Sequence, residues 1–175
     1  MRDAFPDIPE LDPANVEGAK LYANRNEMIK GPELPKQGVF AEVGVAAGEF
    51  SDFLIRNLDP SCFIAVDLFE MDKNPVIWGI PQEVLFKGMG QLGYYRHRLQ
   101  SMGDRMKILH SNSHQIMEDV PDSSIDLIYV DAGHDYVNVS MDIEVCEKKI
   151  RPSGTTVFSE PRHNRRGDPK GPRSV

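Results

Sequence analysis

The stretch Asp131-Ala132-Gly133-His134-Asp135-Tyr136 gathers two carboxylates and an imidazole into five positions. An imidazole changes charge close to neutral pH, so His134 can act as a general base; it can equally do no more than bond a nearby backbone group. Asp131 can face a cation, either a divalent metal or the positive part of a ligand, and Glu160 can add a second carboxylate to the same place. Oxygen ligands of this kind suit Mg²⁺. A second constellation runs from Val39 to Phe50, where an apolar stretch leads into glycines and then into a helical pattern. Gly44 and Gly48 remove the side chains that would keep a ligand from the backbone, and Glu42 stands just before them. The spacing Glu-x-Gly-x-x-x-Gly is neither the Gly-x-Gly-x-x-Gly of dinucleotide enzymes nor a Gly-Lys-Ser/Thr phosphate loop. The lack of a lysine there argues against a triphosphate. Asp67 follows Gly44 by 23 positions, where an acid can accept hydrogen bonds from both hydroxyls of a ribose, or can simply cap a turn. Ser111-Asn112-Ser113-His114 offers small polar groups to an adenine edge, or an N-cap to a following helix.

These residues fall where strands are expected to end. Val39 to Val43 reads as a strand, Ser51 to Leu58 as a short helix stopped by Asp59-Pro60, and Cys62 to Val66 as a second strand closing at Asp67. Met106 to His110, Ile125 to Val130 and Thr155 to Phe158 are the third, fourth and fifth strands. Alternation of strands and helices predicts parallel βαβ units in an α/β fold of the Rossmann type, whose ligands bind beyond the carboxyl ends of the strands. Between Asp72 and Pro81 a loop is expected, then one helix from Gln82 to about Ser101 with Leu85, Met89, Leu92 and Leu99 on one face. Gly88, Gly90 and Gly93 weaken it by up to ~1 kcal/mol each. Asn138 to Lys149 is a helix with Val139, Ile143, Cys146 and Ile150 on its buried stripe, ended by the turn Arg151-Pro152-Ser153-Gly154.

The 175 residues with 40% hydrophobic content fit one domain with a real core. A net charge of −7 and a pI near 5.2 disfavour nucleic acid and anionic membranes as general partners. No run of ~18 apolar residues is available to span a bilayer, and the amino terminus does not read as a signal peptide, so the expected address is the cytoplasm. Cys62 and Cys146 read as small buried side chains. Residues 1–36, punctuated by five prolines, read as an amino-terminal cap with one helix from about Pro13 to Lys30, and residues 37–160 as the domain proper. From Pro161 to Val175 five basic residues meet one acid, a balance of 5 − 1 = +4, among prolines and glycines that cannot build a core. Disorder is expected there.

Taken in order, Glu42 to Ser51, Asp67, the Asp131 to Tyr136 cluster and Arg151-Pro152-Ser153-Gly154 resemble the class I S-adenosylmethionine-dependent methyltransferases. The nearest likeness is to small-molecule O-methyltransferases of macrolide and aminocoumarin sugar tailoring, over about Leu21 to Glu160. The resemblance implies a mostly parallel Rossmann-like sheet, S-adenosyl-L-methionine as cofactor and a small hydroxylated acceptor. It assigns Glu42, Gly44 and Gly48 to the methionine side of the cofactor, Asp67 to its ribose, and Asn112 and Ser113 to its adenine. Asp131 would stand beside the sulfonium and a Mg²⁺ ion shared with Glu160, with His134 as the base. Three departures accompany it. Gly133 stands where metal-dependent relatives carry a second Asp, and Ser159-Glu160-Pro161 where they carry an Asp or an Asp pair. Only 15 residues follow Glu160, too few for the family's last helix and two strands, which need on the order of 30. The chain is therefore expected to stop short, through an early end or a shifted reading frame, with its fifth strand open to self-association. A cofactor-binding but inactive remnant, or a protein-interaction module, is the competing expectation. The glycine spacing disfavours a dehydrogenase.

Overall fold

The computed structural model describes residues 12–113 and 119–159, so that His114, Glu160 and the basic tail lie outside the described residues. Five parallel strands form the main sheet: β1 (Val39–Val43), β2 (Cys62–Asp67), β5 (Met106–His110), β6 (Ile125–Val130) and β7 (Ile150–Phe158). Their order across the sheet is β5-β2-β1-β6-β7. The chain thus winds outward from β1 first to one side and then to the other. The carboxyl ends of β1 and β6 flank the switch point, where open α/β sheets leave a crevice. The three central strands are buried almost throughout, as expected of parallel strands covered on both faces.

Period-two alternation splits the strand side chains between two cores. Phe40, Phe63, Ala65, Leu127 and Tyr129 face α1 (Arg25–Lys30), α2 (Glu49–Leu58) and α4 (Gly90–Arg98); Ala41, Val43, Ile64, Val66, Ile128 and Val130 face the opposite layer with Cys146 of α5 (Tyr136–Lys149). The helix α2 begins at Gly48, held at φ 80, and stops at Asp59, at φ 45, just before Pro60. Its residues Leu54 and Leu58 sink into the first core. The helix α1 is capped by the Asn24 side chain, which accepts from the Glu27 amide at 3.0 Å. It is fastened by the fully buried Ile29, a burial that contributes about 1.5–3 kcal/mol.

Five expectations need correction. The amino-terminal helix from Pro13 to Lys30 is instead one 3-10 turn, Pro13–Asn15, and the six-residue α1. The single helix from Gln82 to Ser101 is broken into α3 (Gln82–Leu85) and α4, because Lys87, Gly88 and Gly90 all take positive φ. Its buried residues are Phe86, Gln91, Tyr95 and Leu99 rather than the Leu85, Met89, Leu92 face. On α5 the buried positions are Asp142, Cys146 and Lys149, while Ile143 is exposed. The turn Arg151–Gly154 falls inside β7, whose pairing with β6 is irregular between Ile125 and Leu127 and regular from Thr155 onward. The loop expected from Asp72 to Pro81 holds a small antiparallel hairpin, β3 (Val76–Ile77) and β4 (Ile80–Pro81). Among the described residues no helix is long and apolar enough to cross a membrane.

Candidate active site

The segment after β1 is shaped by its neighbours as much as by its glycines. Gly44, at φ 84, donates its amide to the Val66 carbonyl at 2.8 Å. A Cβ there would stand 2.3 Å from the Asp131 carbonyl oxygen, so only glycine lets the exits of β1 and β6 approach this closely. Asp67, at the end of β2, pins the same loop: Oδ2 accepts from the amides of Val45 at 2.8 Å and Ala46 at 3.2 Å, and Oδ1 from the Phe69 amide at 2.6 Å. Gln91 of α4 completes the clasp, donating through Nε2 to the Ala46 carbonyl at 3.0 Å and to Asp67 Oδ1 at 3.4 Å.

Glu42 lies beneath this loop, 1% exposed, yet lining the cavity above it. The Ser51 hydroxyl donates to its Oε2 at 2.5 Å and in turn accepts from the Tyr95 hydroxyl at 3.0 Å. Burial pushes the Glu42 carboxyl up to about 8, the negative charge of Asp131 adds to the rise, and the Ser51 bond opposes it. Burial likewise raises the Tyr95 phenol well above its ordinary range.

Asp131, at the exit of β6, meets a cation from the far end of the chain. Arg25 of α1 donates through Nη1 to Asp131 Oδ2 at 3.2 Å and to the Tyr129 hydroxyl at 3.3 Å, and its guanidinium lies 4.2 Å from the centre of the Phe50 ring. His134 Nε2 is 3.9 Å from Asp131 Oδ1, in an exposed position. Asp135, by contrast, is the N-cap of α5: its carboxylate accepts from the Asn138 amide at 3.1 Å, and the bonds from Asn138 hold it below the usual carboxylate range. Ser113 donates to the buried Asp142 of α5.

Two cavities open on this ground. One of about 820 Å³ is lined by Glu42, Phe50, Arg25, Trp78 and His134 among others; one of about 330 Å³ is lined by Asp67, Leu68, Asn112, Ser113 and Asn138 among others. Gly44, Ala46 and Asp131 face both. The sequence-predicted residues Glu42, Gly44, Asp67, Asn112, Ser113, Asp131 and His134 are thus brought to one crevice. Gly48 stands apart at the start of α2, where a Cβ would press on the Tyr95 ring at 2.9 Å. Among the described residues no group of three or more His, Cys, Asp or Glu side chains could hold a metal ion. Asp131 is bonded instead to Arg25, and Glu160 lies outside the described residues.

Arg25, Gln91, Ser51, Tyr95 and Trp78 escape the sequence reading. Asn24 with Glu27 three residues on is a recognisable helix start, which would have located α1. Nothing local, however, announces that Arg25 lands on Asp131, 106 positions away.

The family described as methyltransferase domain matches residues 41–160. Among solved structures, a candidate S-adenosyl-L-methionine-dependent methyltransferase from Methanococcus maripaludis is 19% identical with a TM-score of 0.52, over 78% of this chain and 53% of the other. Phosphoethanolamine N-methyltransferase 1 of Haemonchus contortus, determined with phosphoethanolamine and S-adenosylhomocysteine, is 13% identical with a TM-score of 0.55, over 77% and 24%. A candidate sarcosine dimethylglycine methyltransferase from Galdieria sulphuraria is 15% identical with a TM-score of 0.52, over 78% and 45%. The chain spans about half the length, or less, of these relatives, and at such identities they speak for the fold. No curated protein matches it. With the family match covering most of the chain, and the switch-point crevice carrying the acidic and glycine residues of that match, the chain belongs to the methyltransferase-domain family.

Proposed function

We propose that the chain binds S-adenosyl-L-methionine across the two cavities and serves transfer of its methyl group to a hydroxyl of a small acceptor. The observation that carries this reading is the meeting of a smaller cavity and a larger one at Gly44, Ala46 and Asp131. The smaller takes the nucleoside, with Asn112 and Ser113 toward the adenine and Asp67 toward the ribose. The two longest bonds to Asp67, at 3.2 and 3.4 Å, are those that ribose hydroxyls would replace. The larger takes the methionine end over Gly44 and the acceptor beyond it. Glu42, once deprotonated, faces the ammonium group. The bound cofactor supplies an electrophilic methyl on a sulfonium; Asp131 stands where that positive charge is expected. The protein's share is alignment of the acceptor oxygen and removal of its proton, the latter given to His134.

Mg²⁺ held by Asp131 and Glu160 would compete with the Arg25 guanidinium, which already pairs with Asp131. A cytoplasmic location is part of the same proposal. Titration calorimetry against S-adenosyl-L-methionine, S-adenosylhomocysteine and NAD tests it. Binding of the first two and not the third is expected, and Asp67→Ala should weaken them by at most a few kcal/mol, the scale of charge-assisted hydrogen bonds. Binding of NAD alone would overturn the reading. Unchanged affinity in Asp67→Ala would remove Asp67 from the ribose. The outer edge of β7, which carries no further strand among the described residues, favours a second reading, in which the chain binds the cofactor without turnover and acts through protein contacts.

A further inference from the structure

Trp78, the chain's single tryptophan, stands with Gly79 at the tip of the β3–β4 hairpin. Their φ values are 51 and 82, the left-handed pair that a two-residue hairpin turn demands and that Asn-Gly ordinarily fills. A bulky aromatic at the first of these positions is strained, and at 65% exposure its ring is not held there by the core. Neither local geometry nor packing therefore accounts for a tryptophan. The hairpin itself is anchored: Ile77, next to Trp78, is buried with Ala47 of the loop after β1 and with Phe86. Anchored beside that loop, Trp78 becomes a wall of the 820 Å³ cavity, which it shares with Phe50 and Phe53. Arg25, Asn26, His134 and Ser159 supply polar groups to the same cavity.

We propose that Trp78 is the platform on which the acceptor lies, and that the acceptor carries its hydroxyl on a ring presenting a flat face, aromatic or sugar. This rests on the methyl-transfer reading above. An aromatic face attracts such rings by dispersion and by its quadrupole, while the polar groups around it bond the ring's hydroxyls. Trp78 then acts as a specificity-determining residue. It sets which acceptors are held, without contacting the cofactor.

As the only tryptophan, Trp78 reports on itself. With the full chain saturated by S-adenosylhomocysteine, its emission is titrated with catechol, with methyl glucoside and with glycerol, and calorimetry follows the better ring compound in Trp78→Phe and Trp78→Leu. A saturable change with catechol or with methyl glucoside is expected, the responding compound identifying the ring as aromatic or sugar, and none with glycerol. Trp78→Leu should raise the dissociation constant about tenfold, Trp78→Phe should restore most of the loss, and the affinity for S-adenosylhomocysteine should stay as it is in both. No response to either ring compound while S-adenosylhomocysteine binds, an equal response to glycerol, or an unaltered dissociation constant in Trp78→Leu would overturn the proposal. If S-adenosylhomocysteine itself does not bind the unaltered chain, the methyl-transfer reading falls and this inference with it.

Discussion

Glu42 shows how one residue can serve the fold and a ligand at each other's expense. With its carboxyl pushed up to about 8 from an ordinary 4.5, the folded chain binds more protons than the unfolded chain between those two pH values, so stability falls as pH rises through that window. Glu42→Gln, which keeps the shape and can still accept from Ser51 while staying neutral, should melt at a higher temperature than the unaltered chain near pH 8 and at a similar one near pH 5. Its binding of S-adenosyl-L-methionine should be weaker throughout. In the unaltered chain that binding should tighten as pH rises toward about 8, with a proton released at neutral pH; calorimetry in buffers of different ionisation enthalpy measures the release. Arg25 leads to a second expectation. Since a guanidinium already sits on Asp131, EDTA should leave turnover nearly unchanged, and full loss restored by Mg²⁺ would show otherwise. The contrast between these residues also marks what a sequence can disclose. That Glu42, Gly44, Asp67 and Asp131 would meet at one crevice was legible, because each lies in the last two positions of a strand, or just beyond it, whose apolar run is visible. Arg25 was not, since its partner depends on how α1 folds back across the sheet.

At the level of elements, β1, β5 and β6 were read to the residue and β2 to within one position, because each is a short, largely apolar run bounded by polar or glycine residues. The helix break between α3 and α4 was hidden, since an amphipathic spacing continues across Lys87 and Gly88 although their backbone does not. The start of β7 was hidden for the opposite reason: Pro152 and Gly154 spell a turn, yet pairing with β6 begins at Ile150. Two glycines make the distinction testable. Gly44→Ala would force a methyl to within 2.3 Å of the Asp131 carbonyl at positive φ, and should cost several kcal/mol or abolish folding. Gly93→Ala, inside α4, meets only the Met89 Cβ at 3.3 Å, a tight contact that works against the gain in helix propensity, and should change stability by less than ~1 kcal/mol. Denaturant unfolding of the two variants separates them.

For the whole molecule, the two flanks of the sheet differ from its centre. β5 and β7 are only partly buried, and the exposed Tyr136, Val137, Met141 and Ile143 put apolar surface on α5. A strand edge beside such surface invites pairing with another chain. Light scattering of the chain should therefore show self-association that grows with concentration, and a monodisperse monomer would mean the edge is protected. One last consequence follows from the wall that Gly44, Ala46 and Asp131 share between the two cavities. An acceptor entering first would find that wall facing an empty neighbour, whereas a cofactor already seated finishes it. On the methyl-transfer reading the two substrates should then add in a fixed order, cofactor before acceptor. Steady-state kinetics would record this as inhibition by the demethylated product that is competitive against the cofactor and mixed against the acceptor.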